Sequence, residues 1–423
     1  MNSTMFTEAV TMCDQSRREI DDKPKNPHYE KDIRYTLEMC QWALKPIGLW
    51  HLVYRRTSSL QKILSNGLLA WCSFYLVITM VPPINHVMFV EKNMNKRVKM
   101  VSGLLFSIGT MVKYYYLAAK GSIFERCIEQ VERDWRSVEK SSDRAIMLRE
   151  VSISRNLIST LAIFRYTAGM LYNTVMPLMT KARLSGNTTI RVLTYSGYDA
   201  FFDTQASPNY EIILSVQIVS GLLKYNIATS ANSLTTIFIT HVSGQIQIQV
   251  ARLQDYVAEG HEKNHDPLAI VIRDHVETLR LSKNVEEALR EIGLVLILES
   301  TGLVCFLGYN ILMEWENSDM IAITSYFIYL IFFTLNIFIH CYLGETLTEQ
   351  CSRIGPASYN VDWYNLPSRK AYNFIMPNVI SLYPPKLTAG KMVPFSIYTF
   401  SSVRDYFYIN LSRSGEVDQM LKG

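Results

Sequence analysis

The pentapeptide His261-Glu262-Lys263-Asn264-His265 is a literal H-E-x-x-H, the spacing that sets two imidazoles on one helix face to ligate zinc, with the glutamate as general base. Such a site needs a helix with an apolar face to hold its ligands. Here the five residues are squeezed between Gly260 and Asp266-Pro267, both helix breakers. That setting predicts a solvated turn between helices, with no metal, no cofactor and no catalytic residue, so no enzyme.

A different chemistry is carried by Lys113, Arg165, Lys224 and Glu299, each of which falls inside an otherwise apolar segment. A charge in hydrocarbon is costly and needs a partner or a wet cavity. At about 1.5 Å of rise per residue, Lys113, Arg165 and Glu299 lie at one depth, roughly 10 to 14 Å from the cytoplasmic edge, and Lys224 lies nearer the middle. One carboxylate with two cations at its level predicts an ion cluster. The alternative is that the two cations snorkel independently to the interface, an escape that Glu299 is too short to take. Aromatic residues gather in the opposite halves of the same segments, namely Phe106, Tyr166, Tyr172, Tyr309, Tyr326 and Tyr329. Each alone reads as helix packing. Together with Met170, Ile213 and Gln217 they are the candidate lining of an aromatic, polar-tipped cavity for a small apolar molecule.

The elements that must position these residues are membrane helices. From Met320 to Gly344 there is no Lys, Arg, Asp or Glu, a run longer than the roughly 20 residues needed to cross a bilayer core. Further apolar segments centre on 62 to 84, 98 to 120, 156 to 179, 209 to 241, 292 to 313 and 388 to 411, which makes seven crossings. Residues 1 to 31 lack the apolar run of a cleaved signal peptide. With the N-terminus inside, the cytoplasmic segments carry 26 Lys/Arg and the outside segments 8. The positive-inside rule therefore predicts a cytoplasmic N-terminus and an extracellular C-terminus. The sequon at Asn187 falls in an outside loop, where glycosylation is possible. All seven cysteines fall in cytoplasmic or membrane segments, so no extracellular disulfide is expected. The net charge of +4 reflects this cytoplasmic bias, and no basic patch interleaved with aromatics points to nucleic acid.

The expected organisation is an all-α membrane protein. A cytoplasmic segment and interfacial helix occupy 1–60, and spans one to four occupy 61–241. Cytoplasmic helices in 242–291 are followed by spans five and six in 292–344 and a further cytoplasmic helix in 345–386. The last span covers 387–413 and an extracellular tail covers 414–423. Span one is expected to end at Pro82-Pro83. Ile123, Phe124, Cys127, Ile128, Val131 and Trp135 recur at helical spacing and predict an amphipathic helix below the membrane. Asp266 as N-cap with Pro267 restarts a helix that runs into span five.

Several spaced features resemble the insect odorant receptor family over roughly the last 150 residues. They are the His-containing helix Ile272 to Leu281, Asp362-Trp363-Tyr364 with Leu366-Pro367, Pro384 with Leu387-Thr388-Ala389-Gly390, Thr399-Phe400 and Tyr406-Phe407. Ile380, where the family often has Arg, and Pro377 inside the preceding helix depart from it. Gustatory receptors, a sister family, end in T-Y-x5-Q-F, and Thr399-Phe400 has no Gln-Phe after it. The other seven-span class, a heptahelical G-protein-coupled chemoreceptor, runs in the opposite sense and usually carries D-R-Y, N-P-x-x-Y and an outside cysteine pair, all missing here.

The resemblance implies a ligand-gated, non-selective cation channel at the plasma membrane of olfactory dendrites, surrounded by membrane lipid and responding to a small-molecule odorant or pheromone. It implies a tetramer held together by the cytoplasmic helices as an anchor, with the last span lining the pore. Residues 242–291 are shorter than the co-receptor's segment, so the chain resembles an odorant-tuning subunit that joins the co-receptor in a heterotetramer. By the same resemblance Ile409, Ser412 and Arg413 fall at or just beyond the outer gate.

Overall fold

The computed structural model describes residues 24–55, 58–175, 177, 183–185, 188–191, 193–200, 203–258, 267–317, 320–361, 381–382 and 384–406. Helix α1, Tyr29–Leu44, buries Ile33, Leu37, Cys40 and Leu44 and leads through a single helical turn at Trp50–Val53. The long helices follow. Helix α2 spans Ser59–Asn85 and opens on a reciprocal cap: the Ser58 hydroxyl accepts from the Gln61 amide and the Gln61 side chain accepts from the Ser58 amide. Helix α3 spans Met94–Ala119, with the Asn93 side chain accepting from the Asn95 and Lys96 amides. Helix α4 spans Gly121–Ser137 and α5 spans Ser141–Met170. The six apolar positions anticipated in α4 are all buried, so the periodicity of 3.6 does set its inner face.

Helices α6, Asn209–Ala258, α7, Pro267–Asn317, and α8, Met320–Tyr359, form the centre of the molecule. Fifty residues make a helix about 75 Å long, far beyond a hydrocarbon core of about 30 Å. Helices α6 and α7 must therefore run well past any membrane. Among the described residues four helices are long and apolar enough to cross one: Ser59–Val90, Asn209–Asp255, Ile270–Trp315 and Met320–Tyr359. The more polar α3 and α5 pack into the same bundle, α3 against α7 and α5 against α6.

Two expected boundaries move. Helix α2 does not stop at Pro82-Pro83 but passes through both and ends in a wider π turn at His86–Val90. The two prolines offer no N–H of their own, yet their carbonyls still accept from the His86 amide. The segment expected to enter the membrane at 387 begins as a two-stranded hairpin instead, β1 at Thr388–Ala389 against β2 at Val393–Pro394. Its turn holds Gly390 and Lys391 at φ of 61°, a left-handed conformation that a helix cannot contain. Helix α9 starts only at residue 397 and is described to 406.

At one end of the bundle, Leu253 of α6, Val271 of α7 and Ile354 of α8 form a small separate core with Val361. Polar side chains surround it. Arg252 pairs with Asp143 of α5 at 2.8 Å and with Asp274 of α7 at 2.6 Å. Gln249 donates to Thr278 at 2.7 Å and contacts His275 Nδ1 at 2.9 Å. Nearby, Asp32 of α1 takes a two-pronged bond from Arg144 at 2.8 Å. Burial works against the Asp32 carboxylate, but the bonds from Arg144 and Asn26 hold its pKa below the usual value.

Candidate functional site

The opposite end of the bundle contains space. A cavity of about 50 Å³ is lined by Ser102, Gly103 and Phe106 of α3, Arg165 of α5, Tyr172 of the turn after α5, Tyr225 of α6, Leu303 and Leu307 of α7, and Tyr326, Tyr329, Phe332 and Phe333 of α8, with Tyr195 from a loop. A larger vestibule of about 240 Å³ shares Gly103, Tyr172, Tyr195 and Tyr326 with it and adds Glu91, Lys96 and Lys99. Tyr195 is the loop residue that borders both. It is held there by Gln217, whose Nε2 donates to the Tyr195 carbonyl at 2.8 Å and whose Oε1 accepts from the Tyr195 amide at 3.4 Å. The Lys224 ammonium lies 5.0 Å from the centre of its ring. Gly103 makes the fit possible, because a Cβ at that position would come within 2.7 Å of the Tyr195 ring edge.

The cavity wall is a connected set of rings. Tyr172 meets Tyr329 edge-on at 5.5 Å, Tyr329 stacks with Phe333 at 6.2 Å, and Phe106 faces both Phe333 at 6.2 Å and Tyr225 at 6.1 Å. Such walls present an apolar surface with a few phenolic hydroxyls, which suits a small organic molecule.

Directly beyond lies the charged layer. Lys113 of α3 and Glu299 of α7 form an ion pair at 2.6 Å with side chains 6% and 4% exposed. Gly109, one turn from Lys113, leaves the space for the carboxylate, which a Cβ there would overlap. Arg165 does not join that pair. Its Nη1 donates to the Thr229 hydroxyl at 3.1 Å, and its guanidinium lies 5.3 Å from the centre of the Phe332 ring.

The anticipated site residues are thus distributed unevenly. Phe106, Tyr326 and Tyr329 line the cavity, and Gln217 supports its loop. Tyr166 lies one ring away, edge-on to Tyr225 at 5.9 Å, with its hydroxyl on Asn226 at 2.8 Å. Ile213 is buried outside the wall and Met170 is 39% exposed. Tyr309 turns outward to Asn95 at 3.1 Å. Sequence reasoning missed Tyr195, which sits in an irregular loop with no periodicity to give its direction, and also Tyr225, Phe332 and Phe333. A repeat of aromatics at three and four residues, Tyr326, Tyr329 and Phe333, carried the available signal. Ile409, Ser412, Arg413, Asn187, the Asp362-Trp363-Tyr364 motif and His261 to His265 lie outside the described residues. Among the described residues no cluster of His, Cys, Asp or Glu could hold a metal, and the six described cysteines are free.

The fold matches the insect olfactory receptor OR5 from Machilis hrabei, solved in complex with eugenol, with a TM-score of 0.78 over 92% of this chain and 100% of that one at 14% identity. In sequence the chain is 24% identical to Odorant receptor 10 of Aedes albopictus over 69% of this chain and 77% of that protein. It is 26% identical to Odorant receptor 67c of Drosophila melanogaster over 51% of this chain and 55% of that protein, about half its length. The family model described as 7tm Odorant receptor matches residues 93–408. The chain belongs to the insect odorant receptor family.

Proposed function

We propose that this chain is an odorant-tuning subunit that binds a small volatile in the aromatic cavity and, together with the co-receptor, gates a non-selective cation channel. The observation that carries the reading is the double role of α8. Tyr326, Tyr329 and Phe333 of this helix line the cavity. A few turns further along, Phe338 meets Phe400 of α9 edge-on at 5.3 Å, His340 faces Phe395 at 6.4 Å, and Glu345 accepts from the Ile397 amide at 3.2 Å. A ligand that shifts α8 therefore moves the base of the last helix without any intermediary. The hairpin before α9 is also tied to α7, through the Gly390 amide on the Arg290 carbonyl at 3.0 Å and the Thr388 hydroxyl on Glu286 at 2.6 Å.

In this reading the seven helices cross the plasma membrane with the N-terminus inside, the cavity end faces outward, and the Leu253, Val271 and Ile354 end is the cytoplasmic anchor. Asn187 is then exposed to the glycosylation machinery. Ile409, Ser412 and Arg413 of the last span surround the outer gate, where an apolar ring closes a pore by dewetting and an arginine repels cations. Four such arginines in a homomer would oppose conduction, which favours mixed assembly. Odorant-evoked currents in cells that express the chain alone or with the co-receptor test this. Current is expected only from the pair, and substitutions at Ile409 or Arg413 should change conductance or ion selectivity while leaving the ligand rank order intact. Robust currents from the chain alone would remove the hetero-oligomer, and a changed ranking would place the last span in the binding site.

A further inference from the structure

Arg165 contributes to the cavity wall and is only 4% exposed. A guanidinium offers five N–H donors and no acceptor. Here Nη1 reaches the Thr229 hydroxyl, one ring face lies nearby, and the buried Nε has no acceptor at all. The carboxylate that could neutralise it is already taken, since Glu299 pairs with Lys113 at 2.6 Å and acts on Arg165 only through space. The buried layer therefore holds two cations and one anion. A buried donor left unmet is costly, and an unbalanced charge in an apolar layer asks for a counter-group. Water or a ligand oxygen entering the cavity can supply one.

We infer that Arg165 is a specificity-determining residue, and that the cavity takes small molecules with an apolar body and a terminal oxygen acceptor, a carbonyl or a carboxylate, which the guanidinium binds. The body lies among Phe106, Tyr326, Tyr329 and Phe333. The net positive layer disfavours a protonated amine of the same shape. This inference rests on the cavity being the ligand site.

The test records currents from the chain co-expressed with the co-receptor. The ligands share one carbon skeleton that ends in a methyl, a carbonyl, a carboxylate or a primary amine. For the unsubstituted receptor, the carbonyl or the carboxylate should be about tenfold or more as potent as the methyl compound, a difference of roughly 1.4 kcal/mol, with the amine weakest. The two oxygen arms decide whether a neutral or an anionic acceptor is preferred. Arg165→Met should remove that advantage while the methyl compound still opens the channel. Equal potency of all members on the unsubstituted receptor overturns the inference, and so does an advantage that survives Arg165→Met. If that variant does not reach the cell surface, the unsubstituted series decides alone. Tyr329→Ala separates the two readings, because it should weaken every member alike. Unchanged potencies there remove the cavity as the ligand site, whatever Arg165 does.

Discussion

Along α6 and α7 the inward-facing side chains change character from one end to the other. Near the loops, Gln217, Lys224 and Tyr225 of α6 and Leu303 and Leu307 of α7 stand on or around open space. At the far end Gln249, Arg252 and Leu253 of α6 meet His275, Asp274 and Val271 of α7 in direct contact, with ion pairs as short as 2.6 Å. The same two helices thus hold a cavity at one end and a close-packed network of ion pairs and hydrogen bonds at the other. The difference shows what each end can be asked to do. Aromatic rings around a gap make non-directional contacts that different molecules can share, so that end can respond to a ligand. Paired charges lose much when one partner is removed, so the other end fixes which helix sits beside which. The Lys113–Glu299 layer separates the two regimes.

The largest expected effect lies in that layer. Glu299→Leu leaves Lys113 buried without its counter-charge, and breaking a buried pair in this way costs about 3 to 5 kcal/mol. The variant should lose most of its surface expression, and the purified assembly should unfold at a distinctly lower temperature. The double variant Lys113→Met/Glu299→Leu should recover much of the loss, because an apolar pair of similar volume is well tolerated. If the single variant is as stable as the parent protein, the layer is not structural and the boundary between the two ends disappears.

Much of this contrast was legible in the sequence, though unequally. The amphipathic face of α4 and the restart of a helix at Pro267 follow from periodicity and from the fit of proline to a first helical turn, which are local. An ion pair was legible as depth, since Lys113, Arg165 and Glu299 are expected at one level and two of the three meet. Which two was not, because it depends on Gly109 leaving room for one carboxylate and on Arg165 turning toward Thr229. Tyr195 shows the limit most clearly. No pattern of spacing says that a loop tyrosine folds inward, as its place is set by Gln217 and Gly103 on two other elements. The hairpin at 388–394 was hidden in the same way, because the apolar run around it reads as continuous helix until the left-handed pair at Gly390 and Lys391 is seen.

A smaller effect should follow at the network end. Arg252→Ala removes ion pairs to both Asp143 and Asp274, and because the Arg252 side chain is 25% exposed solvent screens part of the loss. The expected cost is about 2 kcal/mol, the lower range for a hydrogen bond to a charged group. It should appear as a lower unfolding temperature of the assembly with ligand potency unchanged within about twofold. A large shift in potency without loss of stability would mean that the two ends communicate directly and are not separate in role.

The smallest effect, and the one that most sharpens the comparison, concerns Tyr195. Its ring borders both the cavity and the vestibule, yet it rests on Gly103, Lys224 and two backbone bonds to Gln217, none of which belongs to the ion layer. Tyr195→Ala joins spaces of about 50 and 240 Å³ and leaves the layer beneath intact. A ligand that fits the small cavity loses one aromatic contact, worth about 1 kcal/mol, or roughly fivefold in potency. A ligand too long for it gains the vestibule and should rise in potency. The dose-response curves of a homologous series therefore cross in the variant, and its unfolding temperature stays close to that of the parent protein. A uniform fall for every chain length would mean that Tyr195 supports the bundle and does not divide it, and the cavity end would then be built by the same rule as the network end.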